Sequence, residues 1–339
     1  MALTFGVFDH VDHGGVGSVA ELFDNRLKLV EQYDRAGFHA YHVAEHHSTP
    51  LGMAPSPSVY LAAVAQRTSR LRFGPLLYVT PLYHPLRVIE EVVMLDHLSH
   101  GRLELGLGRG ASPVEIGSYG IDPETAPERN REATEIILKG LTSDRLDHEG
   151  RFYQFANVRI AARPLQRPHP PLWAAPIEPE RARAAARANA SMVTLVPNAM
   201  VRPIADAYRD EWRILGHAPE RMPFVGLFRH IVVADTDEQA REIVRPAYRV
   251  WRHNMAFLWE WAGIEFPIGM IYPGEFDALQ EMGSGIAGSP ETVRRYIEKT
   301  AAETGIDYLA GDFMFGNMPH EAASRSIDLF ARAIMPAFR

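Results

Sequence analysis

The chain has 339 residues, with 35 Lys and Arg against 42 Asp and Glu for a net charge of −7, and it has no cysteine. That length fits one large barrel or two ordinary domains and buries roughly three quarters of the unfolded surface, so no covalent staple is needed. The acidic balance argues against a nucleic-acid binder, the missing thiols exclude disulfides, thiolate metal sites and a cysteine nucleophile, and only Lys28, Lys139 and Lys299 are open to a lysine mechanism.

In chain order, the apolar run Leu3 to Phe8 predicts a strand, and Val19 to Ala36, with Leu22, Leu27, Val30 and Tyr33 at helical spacing, predicts a helix ending at Gly37. Ala40 to Ala44 reads as the second strand and Pro57 to Thr68 as a helix capped by Ser56 or Ser58. Leu71 to Val79 reads as the third strand, Pro85 to Leu98 as a helix and Arg102 to Leu107 as the fourth strand. A helix from Ala126 to Leu141 precedes a hairpin over 145–160 that turns at Glu149-Gly150.

Strands five and six are expected at Pro171 to Ala175 and Ser191 to Val196, with helices at Arg181 to Arg187 and Arg202 to Leu215. Strand seven spans Pro223 to Ala234 and a long helix Asp237 to Trp261. The Gly- and Pro-rich stretch 264–285 reads as a long loop. A helix opening at Ser289-Pro290 and ending at Gly305, strand eight within Tyr308 to Phe315 and a last helix over His320 to Ile334 complete the chain. Eight strands alternating with at least eight helices predict a single-domain (β/α)8 TIM barrel over 1–339, with insertions near 111–125, 145–160 and 236–288; a doubly wound open sheet is the alternative. No run of about 18 apolar residues suggests a membrane span, and Met1 to Gly15 carries acids and histidines in place of a signal-peptide core, so a cytoplasmic protein is expected.

A barrel of this kind carries its chemistry at the C-terminal ends of its strands. Those ends supply Asp9-His10-Val11-Asp12-His13, Glu45-His46-His47, Thr80-Pro81, Gly108-Arg109-Gly110, Pro176-Ile177-Glu178 and Asp312. Alternation along the second strand puts Ala40, His42, Ala44 and His46 on the inner face. His46 then projects into the barrel mouth, where an imidazole serves as acid or base; the plainer reading is a histidine that only closes the mouth. Gly106-Leu107-Gly108-Arg109-Gly110-Ala111 fits a nucleotide-binding glycine pattern formally, but Ser112-Pro113 interrupts the helix it should open. These glycines are read as room for a flat ligand, with Arg109 as an anion partner. His10, His13 and Asp312 allow a metal-hydrolase reading, yet the ends of strands five and six offer Pro176-Ile177 and Pro197-Asn198, too few ligands for a closed shell.

Val43-Ala44-Glu45-His46-His47, His84-Pro85-Leu86-Arg87, Leu95-Asp96-His97-Leu98-Ser99-His100-Gly101-Arg102, Leu105 to Gly110, Gly288-Ser289-Pro290-Glu291 and Gly305-Ile306-Asp307, in this order, resemble the bacterial luciferase-like flavin-dependent monooxygenases over nearly the whole chain. The resemblance implies a (β/α)8 barrel that uses reduced FMN and O2, through a flavin 4a-hydroperoxide, to oxidise a small organic substrate, with a separate flavin reductase. It places the catalytic histidine at His46, flavin-ring contacts at Leu76-Leu77, often joined by a non-proline cis peptide, and an arginine near the flavin at Arg109 beside Gly108. The FMN phosphate falls on Ile177, Glu178 and Arg181, where hydroxyl residues of the family are absent and two acids intervene. A deazaflavin coenzyme on the same barrel, a non-catalytic flavin-binding subunit and a metal-dependent hydrolase are the alternatives. A homodimer is expected, with substrate pockets built by 111–125 and 260–288.

Overall fold

The computed structural model describes residues 2–267, 269 and 271–338. Eight parallel strands close on themselves: β1 (Thr4–Asp9), β2 (Ala40–Val43), β3 in two pieces (Arg72–Pro75 and Tyr78–Val79), β4 (Leu105–Gly108), β5 (Leu172–Ala174), β6 (Ala190–Thr194), β7 (Val225–Val233) and β8 (Tyr308–Asp312). Each pairs in parallel with the next, β8 returns to β1, and a bridge from Phe73 to Leu103 ties the first piece of β3 to the approach of β4. The expected barrel is therefore the observed one.

The helices between strands arise where start and stop residues are in place. Ser18 and Glu21 form a reciprocal capping box at the start of the helix Val19–Ala36, and Gly37 ends it at φ 85°, a left-handed conformation that costs glycine little. The hairpin expected over 145–160 forms as the antiparallel pair Arg145–Glu149 and Gln154–Arg159. Two expectations need correction. The third strand is not continuous, because it is interrupted at Leu76-Leu77. The stretch 264–285 is not all loop: it contains the helix Phe276–Glu281, and Gly285–Gly288 adds a strand to the far end of β7. A six-residue helix and a four-residue strand with a glycine at each end are too short to show periodicity. Ile268 and Met270 of that stretch lie outside the described residues.

Two hydrophobic layers fix the barrel. The larger lies between sheet and helices; the smaller fills the interior with Phe8, Ala44, Leu76, Trp173, Val193, Phe228, Tyr308 and Ala310. Gly6 belongs to this inner packing, since a Cβ there would lie 1.7 Å from the Tyr308 hydroxyl oxygen.

His42 faces inward as alternation predicted, fully buried against Trp173 at 4.5 Å between ring centroids. Burial lowers its pKa from 6.5 to about 4, against the opposing pull of Glu104. A base with a depressed folded-state pKa contributes stability above its unfolded value and loses it as pH falls. Relative to a His42→Asn variant, the protein should therefore lose about 1.4 kcal/mol of unfolding free energy per pH unit between about pH 6.5 and 4. Urea titrations of both proteins across that range check this; parallel pH profiles would contradict it.

Candidate active site

The C-terminal ends of β1, β2, β3, β4 and β8 converge on one mouth. There His46 stacks on His10, with ring centroids 5.7 Å apart and planes 19° from parallel. Its Nδ1 lies 3.0 Å from Glu115 Oε1, and its Nε2 has no hydrogen-bond partner among the described residues. Gly52 packs against the other side of its stem, where a Cβ would lie 2.6 Å from His46 Cβ. The side chain is 17% exposed, so the ring is held yet reachable.

Its neighbour His47 is used up internally. Its Nε2 bonds Glu45 Oε1 at 2.8 Å and its Nδ1 bonds the Tyr119 hydroxyl at 2.8 Å. Glu45 also accepts the Val79 amide at 3.1 Å, which ties the end of β2 to the second piece of β3. Burial pushes the Glu45 carboxyl upward, with the His47 and Val79 bonds pulling the other way.

Beneath the mouth, His10 and His230 both have lowered pKa values, which favours their neutral forms. Burial lowers each, with His46, His230 and Arg26 adding repulsion at His10; His230 falls to about 3, burial being reinforced by Arg229. Asp312, 3.8 Å from His10 and 3.9 Å from His230, is raised by burial and by the nearby Asp9 and Asp12. His13 does not join them: its Nδ1 accepts the Gly15 amide in an exposed turn. Among the described residues no three His, Asp or Glu side chains assemble into a metal-ligand set.

The remaining sequence-picked residues fall as follows. The Leu76-Leu77 peptide is cis, as the resemblance implied. Around the β4 glycines the space a side chain would take is filled by β3. A Cβ on Gly108 would lie 2.3 Å from Leu77 Cδ1, and one on Gly106 would lie 2.5 Å from the Pro75 carbonyl oxygen, so the room is taken by β3 itself. Arg109 is exposed and forms no ion pair among the described residues. Ile177 is exposed, and Glu178 caps the helix Pro179–Arg187 without a side-chain cap bond. Arg181 is turned onto Glu178, Nε to Oε1 at 2.7 Å, while Glu180 pairs with Arg187 at 2.7 Å. The two acids that cast doubt on phosphate binding are thus each matched by an arginine.

Sequence reasoning missed Glu115, Tyr119, His230 and Arg26. Ser112-Pro113-Val114-Glu115 has the spacing of a capping box, and the short helix Pro113–Ser118 does start there. On its other side, Val114 and Ser118 join Ser48, Phe257, Leu258 and Trp261 around a cleft of about 380 Å³.

The model of the luciferase-like monooxygenase family matches residues 3–308. The chain is 29% identical to the oxygenase component of a flavin-dependent trigonelline monooxygenase from Acinetobacter baylyi, over 99% of this chain and 96% of that one. Among solved structures it resembles monooxygenase RslO1 from Streptomyces bottropensis, with TM-score 0.89, 26% identity and coverage of 99% and 100%. It also resembles the oxygenating constituent of 3,6-diketocamphane monooxygenase from Pseudomonas putida, solved with FMN, with TM-score 0.82, 22% identity and coverage of 100% and 99%.

Proposed function

The chain belongs to the luciferase-like monooxygenase family, and we propose that it uses reduced FMN and O2 to oxidise a small, largely apolar organic molecule, the flavin being reduced by a separate protein. The observation that carries this reading is the placement of His46, with its Nε2 open among the described residues, at the barrel mouth beside the strand that carries Leu76 and Leu77. The flavin-dependent relative named as an oxygenase component and the FMN-bound neighbour support the cofactor and the external reductase.

The residues present fit an FMN. Leu76 and Leu77 would face the ring system. Arg109, without an acidic partner among the described residues, and the first-turn amides of the helix Pro179–Arg187 would hold the phosphate, with Glu178 and Glu180 matched by their arginines. Reduced FMN, when bound, supplies the electrons that activate O2. The protein's own part is to position and to move a proton. His46 would keep one proton on Nδ1 toward Glu115 and accept or return another at its open Nε2. The cleft beside the helix Pro113–Ser118 is lined by Val114, Phe257, Leu258 and Trp261 with only Ser48 and Ser118 as polar side chains, which suits an uncharged organic substrate.

Anaerobic titration tests the reading. Reduced FMN should bind more tightly than oxidised FMN, and the isolated protein should not oxidise NADH. Arg109→Ala should weaken FMN by about 10- to 100-fold, the worth of one charge-assisted bond, and leave riboflavin nearly unchanged. Binding of a reduced deazaflavin in place of FMN, or robust NADH oxidation by the protein alone, would overturn it. Equal weakening of FMN and riboflavin would move the phosphate away from Arg109.

A further inference from the structure

The two adjacent histidines of β2's end carry four ring nitrogens, and three are engaged. His47 uses both of its own, on Glu45 and Tyr119, and His46 uses Nδ1 on Glu115. The one left open is His46 Nε2.

Glu115 is the group that decides which nitrogen this is. It is 2% exposed, and among the described residues it has no arginine or lysine partner. Its Oε1 accepts from two donors, the His46 ring at 3.0 Å and the His47 amide at 3.3 Å. Because Oε1 already accepts the His47 amide it is an acceptor, so the His46 nitrogen that faces it must donate, which puts a proton on Nδ1. In a neutral imidazole the other nitrogen is then an acceptor. The local helix does not explain this placement. Ser112 Oγ accepts the Glu115 amide at 3.3 Å, but the Glu115 carboxylate does not return to the Ser112 amide as a capping box would have it. It reaches across to the end of β2 instead. Tyr119, one turn further on, docks the same segment on His47. His10, stacked on the ring, fixes the plane in which Nε2 points.

We propose that Glu115 is a positioning residue: delivered by the helix Pro113–Ser118, it holds His46 as the Nδ1–H tautomer and so presents Nε2 as the base. This rests on the monooxygenase reading for the use of Nε2, but the tautomer itself does not.

The test therefore has a readout that needs neither flavin nor substrate. In protein labelled with 15N at histidine, the His46 ring signals are identified by their loss in His46→Gln. Wild type should show the Nδ1–H form, and Glu115→Ala should shift His46 toward the Nε2–H form. Glu115→Gln keeps an oxygen that accepts from Nδ1–H and should retain the wild-type tautomer. In turnover, Glu115→Ala should lower kcat by about 10- to 100-fold with the KM for reduced FMN unchanged, and Glu115→Gln should recover most of it. An unchanged His46 tautomer in Glu115→Ala would overturn the proposal, as would a raised KM at constant kcat. If Glu115→Ala fails to fold, Glu115→Gln decides alone: a lost Nδ1–H form there overturns the proposal, and its retention supports it. Wild-type turnover in His46→Ala, with the tautomer shift of Glu115→Ala intact, would instead remove the monooxygenase role of His46 and leave the positioning role standing.

Discussion

His46→Ala should cut turnover by about 10²- to 10⁴-fold, the usual worth of a positioned acid or base, while the barrel stays folded. The reason for the asymmetry is where the ring sits. It lies past the end of β2, partly exposed, against His10, Glu115 and Gly52, and it belongs to neither hydrophobic layer. Its loss leaves Glu115 with only the His47 amide, a cost of roughly 1–3 kcal/mol that a barrel of this size tolerates. His47 cannot substitute, because both of its ring nitrogens are bonded. Steady-state oxidation with enzymatically reduced flavin, alongside circular dichroism melting, measures both halves. Turnover at the wild-type rate would make His46 a structural residue only.

Much of the fold was legible because the barrel repeats one local rule. Strand, helix and cap signals recur from Leu3 to Gly305, and alternation along β2 separated the inward His42 from the outward Tyr41. The site was half legible for the same reason: His46 follows from the strand it ends. Glu115 does not, since its partner is 69 residues away and nothing local tells a helix-capping glutamate from one aimed at a histidine. The close approach of Leu77 to the β4 glycines was not legible either, because it is a contact with the neighbouring strand that spacing along one strand does not reveal. Arg26 hid in plain pattern. It falls between Leu22 and Val30 at intervals of four, on the buried stripe of an amphipathic helix where a charge needs an explanation.

That explanation yields the larger stability prediction. Arg26 is 2% exposed, and its guanidinium reaches Asp9 Oδ1 at 3.0 Å, Asp12 Oδ1 at 2.9 Å and the Met314 carbonyl. Asp9 also accepts the Tyr41 hydroxyl at 2.8 Å, and Asp12 accepts the Gly316 amide at 2.7 Å. One cation thus pins the segment after β1 to the segment after β8, and through them holds His10 under His46. Arg26→Ala leaves Asp9 and Asp12 buried without a counter-charge, and should cost about 3–5 kcal/mol of unfolding free energy near pH 8. The deficit should shrink on acidification. Even beside Arg26, burial raises Asp12 to about 6, and removal of the cation raises it further. An acid with a raised folded-state pKa destabilises the fold at high pH and ceases to do so once protonated, so the gap between variant and wild type should narrow as pH falls from 8 toward 5. Adding Asp12→Asn to Arg26→Ala should recover part of the loss at pH 8 and remove much of its pH dependence, because the stranded charge is then gone. Urea unfolding at the two pH values checks this. A deficit that is the same at both, and untouched by Asp12→Asn, would mean that Arg26 acts through the packing of its alkyl stem.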